Sequence, residues 1–306
     1  MKRLLLLAAV LVVLIVIAWS AGMFGGPVST MDLPDVAVDS DRVSRIDVSS
    51  GGEHIRVDRL DSGEWRLSSP VQADADTAAV MRFLRQIGDM QLESIVSSNP
   101  EGFSRFQVDS TGSEMTLEWG DRRLELIVGK MGPDFQSRYV RIDGDDRVML
   151  ANGVPSLSAK VDQWRDKTLW SMPVEAITSV SVTADDVTYG LSRTDGGWRL
   201  SSGAGDSAVD SVEVADFLDR VSTIKVDGFY TALTIDSVLA NVTHQLRVEF
   251  AGGAAETLFM SKRQNDVAAF REGGADVLKL FTYNLTNLTT SFDGLAASTA
   301  EATESR

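Results

Sequence analysis

The sequence contains no cysteine and only two histidines, His54 and His244, among its 306 residues. The lack of cysteine excludes disulfides, thiolate nucleophiles and Cys-ligated zinc or iron–sulfur centres. Neither histidine has a second histidine or a serine-containing catalytic motif beside it, and no phosphate-binding loop is present. We therefore predict no catalytic, cofactor-binding or metal-binding residues, and we predict that the protein is not an enzyme.

Positive charge is also scarce, with 29 Lys+Arg against 44 Asp+Glu and a formal net charge of -15. Nucleic-acid partners are excluded on this ground, because phosphate contacts need clustered lysine and arginine. Acidic surfaces are repelled by anionic lipid headgroups. The net charge thus predicts a body that stands off a bilayer except where it is tethered.

Acidic residues are absent from the first part of the chain, where the first one is Asp32. Lys2 and Arg3 precede an apolar run that starts at Leu4 and continues to Phe24 with few interruptions. Such a segment is typical of a membrane-spanning helix or a secretory signal. Because the apolar stretch runs past Ser20, where small residues would suit cleavage, we favour an uncleaved anchor. A signal cleaved after Ser20 is the alternative. The positive end is expected to stay in the cytoplasm, with the body on the other side.

The body contains an internal repeat, the strongest pattern in the sequence. Glu64–Ser69 recurs as Gly197–Ser202 at an offset of 133 residues. Farther along, the offset becomes 134 and relates a second set of apolar residues, each set following an aspartate at helical spacing. The two sets are Asp76, Val80, Phe83, Leu84, Ile87 and Asp210, Val214, Phe217, Leu218, Val221.

In each repeat, the spacing of apolar residues changes in the same order, from that of strands to that of a helix and back to that of strands. Alternating apolar and polar residues predict three strands joined by hairpin turns, followed by one amphipathic helix and about four more strands. The fold class predicted is α+β, with an N-terminal transmembrane helix followed by two tandem repeats, each a mostly antiparallel sheet with one main helix. Trp65 and Trp198 are predicted core anchors of the two repeats, with ligand stacking as the alternative.

These patterns divide the chain into six segments. They are a membrane anchor or signal over 1–24, a neck over 25–42, a first α+β repeat over 43–153, a linking helix over 154–172, a second α+β repeat over 173–289 and a disordered tail over 290–306.

Two acidic clusters are candidate cation sites. Asp143, Asp145 and Asp146 surround Gly144 between two predicted strands, but the distal glutamate of a calcium loop is absent from the sequence that follows. We predict an ordinary turn there. Asp74 and Asp76 precede the first helix, where acidic residues favour a helix start over metal binding.

An ordered set of short motifs resembles the bacterial envelope proteins called domain of unknown function 4340. The resemblance covers Val43 to Trp198. One segment departs from the family pattern, since Gly102–Asp109 lacks the usual proline. The motifs are Gly63-Glu64-Trp65-Arg66-Leu67, Pro70 with Ala73-Asp74, Arg138-Tyr139-Val140-Arg141, Val148-Met149-Leu150 and Trp164-Arg165-Asp166-Lys167.

The resemblance implies a partner of gliding-motility-type ABC transport systems. It implies a single-pass protein of the bacterial inner membrane, inserted through residues 4–24, with its C-terminal body in the periplasm. The expected partner is an ABC transporter permease or an auxiliary membrane subunit, and the expected function is a non-catalytic binding or accessory module. Two alternatives stay open: an envelope hydrolase using acidic residues, and a small-ligand-binding protein with a cleft between the repeats.

Overall fold

A computed structural model describes residues 33–297 apart from 35, 185 and 204. The chain divides into two compact units, Met1–Trp164 and Arg165–Arg306. The predicted membrane segment, 1–24, lies outside the described residues. Within the described ranges, no helix combines the length and the apolar character needed to cross a membrane.

The first unit is built on one nine-stranded sheet. Its strands are β1 (Arg45–Ser50), β2 (Glu53–Arg59), β3 (Trp65–Ser69), β4 (Ala73–Asp74), β5 (Gln91–Ser97), β6 (Ser113–Trp119), β7 (Arg122–Met131), β8 (Arg138–Ile142) and β9 (Val148–Asn152). The spatial order is β4-β3-β2-β1-β6-β7-β8-β9-β5, and neighbouring strands are antiparallel. Among the described residues of this unit, two α-helices accompany the sheet, α1 (Thr77–Gly88) and the single turn α2 (Phe103–Phe106).

The second unit repeats this sheet strand for strand. Its strands are β10 (Thr168–Ser171), β11 (Ile177–Ala184), β12 (Val187–Thr194), β13 (Gly197–Ser202), β14 (Gly205–Ser207), β15 (Thr223–Lys225), β16 (Gly228–Tyr230), β17 (His244–Phe250), β18 (Ala255–Lys262), β19 (Val267–Arg271) and β20 (Val277–Leu280). The order β14-β13-β12-β11-β17-β18-β19-β20-β16 matches that of the first sheet, and β10 pairs separately with β15. The helices are α3 (Ser211–Ser222), α4 (Ile235–Leu239), α5 (Thr282–Leu288) and α6 (Phe292–Leu295).

The alternation in the sequence explains why these strands form and which face they bury. Ile46 lies opposite Val57 of β2 and Leu117 of β6, and all three side chains are fully buried in the first core. The intervening Asp47 lies opposite Arg56 and Thr116 on the other face. The mostly antiparallel, sheet-rich α+β architecture predicted from the sequence is therefore confirmed. Each unit has more strands than predicted, because further strands come directly before and after its main helix.

The main helix of each unit begins and packs as the repeat predicts. Asp76 Oδ1 accepts a hydrogen bond from the Ala79 amide at 3.0 Å, and Asp210 Oδ1 accepts from Val212 and Glu213 at 2.9 and 3.2 Å. These side chains satisfy amide groups that the first helical turn leaves without partners. The buried apolar residues are the predicted ones: Val80, Phe83, Leu84 and Ile87 on α1, and Val214, Phe217, Leu218 and Val221 on α3.

The predicted linking helix over 154–172 is wrong. The segment is mostly extended, with one short 3₁₀ turn at Val161–Gln163 and the strand β10. Leu157 and Ala159 alternate with polar residues and are buried in the first core, a period that suits an extended chain. Trp164 closes the segment with its ring edge-on to Phe83, 4.9 Å between centroids.

Two other predicted boundaries are also corrected. Part of the predicted disordered tail, 290–306, is ordered: it forms α6, buries Leu295 and bridges Ala296 to Val209. The apolar contacts of this segment with the second core offset the cost of ordering it. Residues 298–306 lie outside the described residues. In the predicted neck, 25–42, Val36 and Val38 pack against the first core.

Candidate functional site: the outer faces of the two sheets

The two histidines lie in different units, and each is within hydrogen-bond distance of a polar side chain. His54 lies in β2, with Nε2 3.1 Å from Asp47 Oδ1, an oxygen that also accepts from Arg56 Nε at 2.8 Å. His244 is buried at the start of β17, with Nδ1 2.8 Å from Thr243 Oγ1. Both histidines thus belong to strands.

The acidic cluster at Asp143–Asp146 forms the predicted turn. Asp145 accepts hydrogen bonds from the Arg147 amide at 2.8 Å and from Arg147 Nη2 at 2.6 Å. The hydrogen bond from the Arg147 side chain lowers the pKa of Asp145 below its ordinary value. Asp143 lies 3.6 Å from Arg141. Within the described ranges, no group of three histidine, aspartate or glutamate side chains is arranged to hold a metal ion.

The two repeat tryptophans differ in burial. Trp65 is 2% exposed and belongs to the first core, as predicted. Trp198 is only partly buried, and the Arg193 guanidinium carbon lies 5.1 Å from its ring centroid. The predicted core anchor is therefore confirmed for Trp65, whereas Trp198 packs against the second core and stays partly exposed. Leu200 supplies the fully buried side chain of β13.

Each sheet carries a second, smaller apolar cluster, separate from its main core. In the first unit it comprises Val108, Ile127 and Val148, which are buried, and the rings of Phe103, Phe106 and Tyr139. The short helix α2 supplies two of these rings. A Cβ at Gly129 would collide with the Phe106 carbonyl oxygen, so the glycine lets α2 approach β7 this closely.

Cations surround these rings. Arg141 is 14% exposed; its guanidinium carbon lies 4.6 Å from the Phe103 centroid, and its Nε donates to the Val108 carbonyl. The Lys130 ammonium is 6.0 Å from the centroids of both Phe106 and Tyr139. Arg105 is 5.6 Å from the Phe106 centroid. Favourable cation–π contacts occur over such distances.

The end of the hairpin formed by β7 and β8 presents exposed apolar side chains. Phe135 is 78% exposed and Met131 is 49% exposed. Phe135 has a φ of 60°, which is rare for a bulky residue. Asp134 Oδ1 holds the loop by accepting from the amides of Gln136 and Ser137 at 3.1 and 2.9 Å and from Ser137 Oγ at 2.6 Å.

We call this surface the basic–aromatic patch. It comprises Arg105, Phe106, Lys130 and Tyr139 around the rings, together with Met131, Phe135 and Arg138 at the end of the β7–β8 hairpin. Sequence reasoning missed it because three separate segments assemble it and no spacing links them. Gly132-Pro133-Asp134 is a turn signal that could have located the loop, although not the exposure of Phe135.

The corresponding cluster of the second unit has a different charge pattern. Its buried members, Val238, Ala268, Phe270 and Val277, pack with the rings of Tyr230 and Phe259. Arg263 and Lys279 lie 3.5 and 4.0 Å from the carboxylate of Asp266. Burial raises the pKa of Tyr230 to about 12, so its hydroxyl stays protonated at neutral pH.

An open cleft of about 420 Å³ lies beside this second cluster. Its lining includes Tyr230, Thr234, Asp236 and Asp276. The Asp276 carboxylate is 2.5 Å from Arg165 Nη2, and the Arg165 guanidinium carbon lies 3.6 Å from the Phe229 ring centroid. The cleft therefore brings two carboxylates to one surface, one of them already paired with a cation.

A model of the family described as domain of unknown function (DUF4340) matches residues 65–247, more than half of the chain. The chain belongs to the DUF4340 family. Within this DUF4340 protein the match begins in β3 of the first sheet and ends in β17 of the second. No curated protein and no solved structure matches the chain at significant similarity.

The motif Trp164-Arg165-Asp166-Lys167 has structural roles in this DUF4340 protein. Trp164 lies in the first core, and its Nε1 donates to the Ser158 carbonyl at 2.7 Å. Asp166 Oδ1 accepts from the Thr168 amide at 2.8 Å, and the Lys167 carbonyl accepts from Val226 at 2.9 Å. The motif therefore ends the first unit and starts the second.

Proposed function

We propose that this DUF4340 protein is a non-catalytic binding module of the bacterial cell envelope. Residues 4–24 tether it to the inner membrane, and its periplasmic body docks a permease or auxiliary subunit of an ABC-type transport system. The association with transport follows from the family resemblance, and the tether follows from the apolar N-terminal segment of the sequence.

One observation carries the proposal: the basic–aromatic patch of the first unit. Exposed aromatic and cationic side chains are enriched in binding surfaces. Phe135 is exposed on a loop that hydrogen bonds hold in place, and Met131 is exposed at the end of β7, so binding has little further ordering of the chain to pay for. In contrast, the singled-out titratable residues have structural partners, such as Asp47 for His54 and Arg147 for Asp145.

An envelope hydrolase is the second candidate, favoured by the cleft that Asp236 and Asp276 share. Paired carboxylates in one concavity suit acid–base hydrolysis. The ion pair of Asp276 with Arg165 suits a structural or electrostatic role, which leaves Asp236 as the group to test.

Complementation of a deletion strain separates the two candidates. For a docking module we expect His54→Gln, Asp236→Asn and Asp145→Asn to leave complementation nearly intact. Replacing residues 1–24 by an unrelated cleaved signal should impair it, because the tether raises the local concentration near a membrane partner. Cross-linking in membranes should recover the permease as the bound protein. Loss of complementation by Asp236→Asn at normal abundance would favour the hydrolase instead.

A further inference from the structure

We propose that the basic–aromatic patch docks on an anionic phospholipid surface, with Phe135 entering the interfacial region and the neighbouring cations contacting headgroup phosphates. This inference rests on the membrane tether of the proposed function, and it assigns the patch to lipid rather than to the permease or auxiliary subunit. It differs from the expectation based on net charge, which predicts a body that stands off the bilayer.

The local balance of charge favours an anionic surface. Lys130, Arg105 and Arg138 have no carboxylate within 4 Å among the residues that the structure describes, whereas Arg263 and Lys279 of the second unit share Asp266. The carboxylates of Asp134 and Asp109 accept hydrogen bonds from the loop amides and from Thr111, and they keep their negative charge. Three cations against two carboxylates leave an excess of positive charge at the patch.

Screening makes this local balance decisive. The Debye length at physiological ionic strength is about 8 Å. The ten residues of β7 extend over about 33 Å, so charges at its other end are screened from the patch. The net charge of -15 therefore does not set the potential that a headgroup experiences beside Lys130.

The loop adds an apolar anchor to this charge. Exposed aromatic side chains flanked by basic residues are typical of surfaces that lie in the membrane interface. The hydrogen bonds of Asp134 hold the backbone of Phe135 in its unusual conformation, so the ring is exposed without first reordering the loop. Phe135 therefore reaches the bilayer at a small entropic cost.

The absence of cysteine gives a direct experiment on the full chain. Gln136→Cys is labelled with an environment-sensitive nitrobenzoxadiazole dye, and the protein is reconstituted into phosphatidylcholine vesicles with or without phosphatidylglycerol. We expect a blue shift and protection from an aqueous quencher only with phosphatidylglycerol. Asp121→Cys, at the opposite end of β7, is the matched label position and should stay quenchable.

Variants test the two components separately. Phe135→Ser should abolish the protection, whereas Val212→Ser, another exposed apolar residue, should not. Neutralising Lys130 and Arg105 together should weaken the lipid contact by about fivefold for each cation, and high salt should act in the same direction.

Three outcomes would overturn the proposal. They are a label at 136 that stays quenchable in anionic vesicles, equal protection in both lipids, and protection that needs native membranes and so identifies a protein partner. Flotation with phosphatidylcholine vesicles reports the tether alone. A chain that floats without protecting residue 136 refutes lipid docking and leaves the proposed function standing. A chain that does not float with phosphatidylcholine but is protected on anionic lipid refutes the tether alone.

Discussion

At the scale of single residues, equivalent positions of the two repeats have diverged. Trp65 and Trp198 both lie near an arginine of the preceding strand, Arg59 at 5.8 Å and Arg193 at 5.1 Å from the ring centroids. Trp65 is nevertheless a core residue, whereas Trp198 is partly exposed. The repeated sequence preserves the strand and the cation while the burial changes. The same residue at equivalent positions of a duplicated motif therefore need not contribute equally to stability.

This divergence predicts unequal effects of the same substitution. Trp65→Ala should lower the free energy of unfolding by about 3–5 kcal/mol, because the truncation leaves a cavity in a closed core. Trp198→Ala should cost less than about half as much, since solvent already reaches the ring. Urea denaturation followed by circular dichroism measures both. Equal losses would show that Trp198 is as important to its core as Trp65.

At the scale of secondary-structure elements, close packing of α2 against β7 is the feature that positions the basic–aromatic patch. The approach depends on Gly129, where a Cβ would also lie 2.9 Å from Val108 Cγ1. Gly190 of β12 has more room, with its nearest neighbours at 3.8 Å. A methyl group would therefore collide with its neighbours at Gly129 but would have room at Gly190.

We accordingly expect Gly129→Ala to destabilise the first unit by about 1–3 kcal/mol through overpacking. The matched change Gly190→Ala should be neutral or stabilising by up to about 1 kcal/mol, because alanine has less conformational entropy to lose in a strand. Thermal unfolding gives the comparison. The close approach of α2 to β7 would be called into question if both variants unfolded at the same temperature.

Local patterns predicted the elements well, and non-local contacts explain what they missed. The caps at Asp76 and Asp210 and the apolar faces of α1 and α3 depend on residues within four positions, so spacing alone identified them. The segment around Leu157 and Trp164 was misassigned because its conformation follows from packing on a core assembled far away in sequence. Likewise, the patch joins residues 105–106 to residues 130–139, which no periodicity connects.

At the scale of the whole molecule, structural and family boundaries do not coincide. The compact units meet between Trp164 and Arg165, and each has its own nine-stranded sheet and apolar core. The family match, 65–247, omits β1 and β2 from the first sheet and β18, β19 and β20 from the second. The matched segment is therefore not a folding unit.

Truncation tests this point. Fragments 33–164 and 165–297 should each unfold cooperatively in urea, because each retains a complete sheet and core. Fragment 65–247 should show no cooperative transition, since central strands of both sheets lose their hydrogen-bonded neighbours and bury less apolar surface. Circular dichroism distinguishes the two behaviours. A cooperative transition in 65–247 comparable to those of the other fragments would refute this division.

The central pairing of each sheet has a consequence for the time course of folding. β1 pairs with β6, so that Arg45 lies opposite Glu118, and β11 pairs with β17, so that Ile177 lies opposite Phe250. The hairpins at the start of each unit can complete their sheet only after strands about seventy residues later in the chain are available. Closing loops of this length slows folding. A chain that emerges gradually from a ribosome or a translocation channel would leave β1 without its second neighbour until β6 emerges. Each half of the protein is therefore expected to stay open, and suited to passage in an extended form, for most of its own emergence.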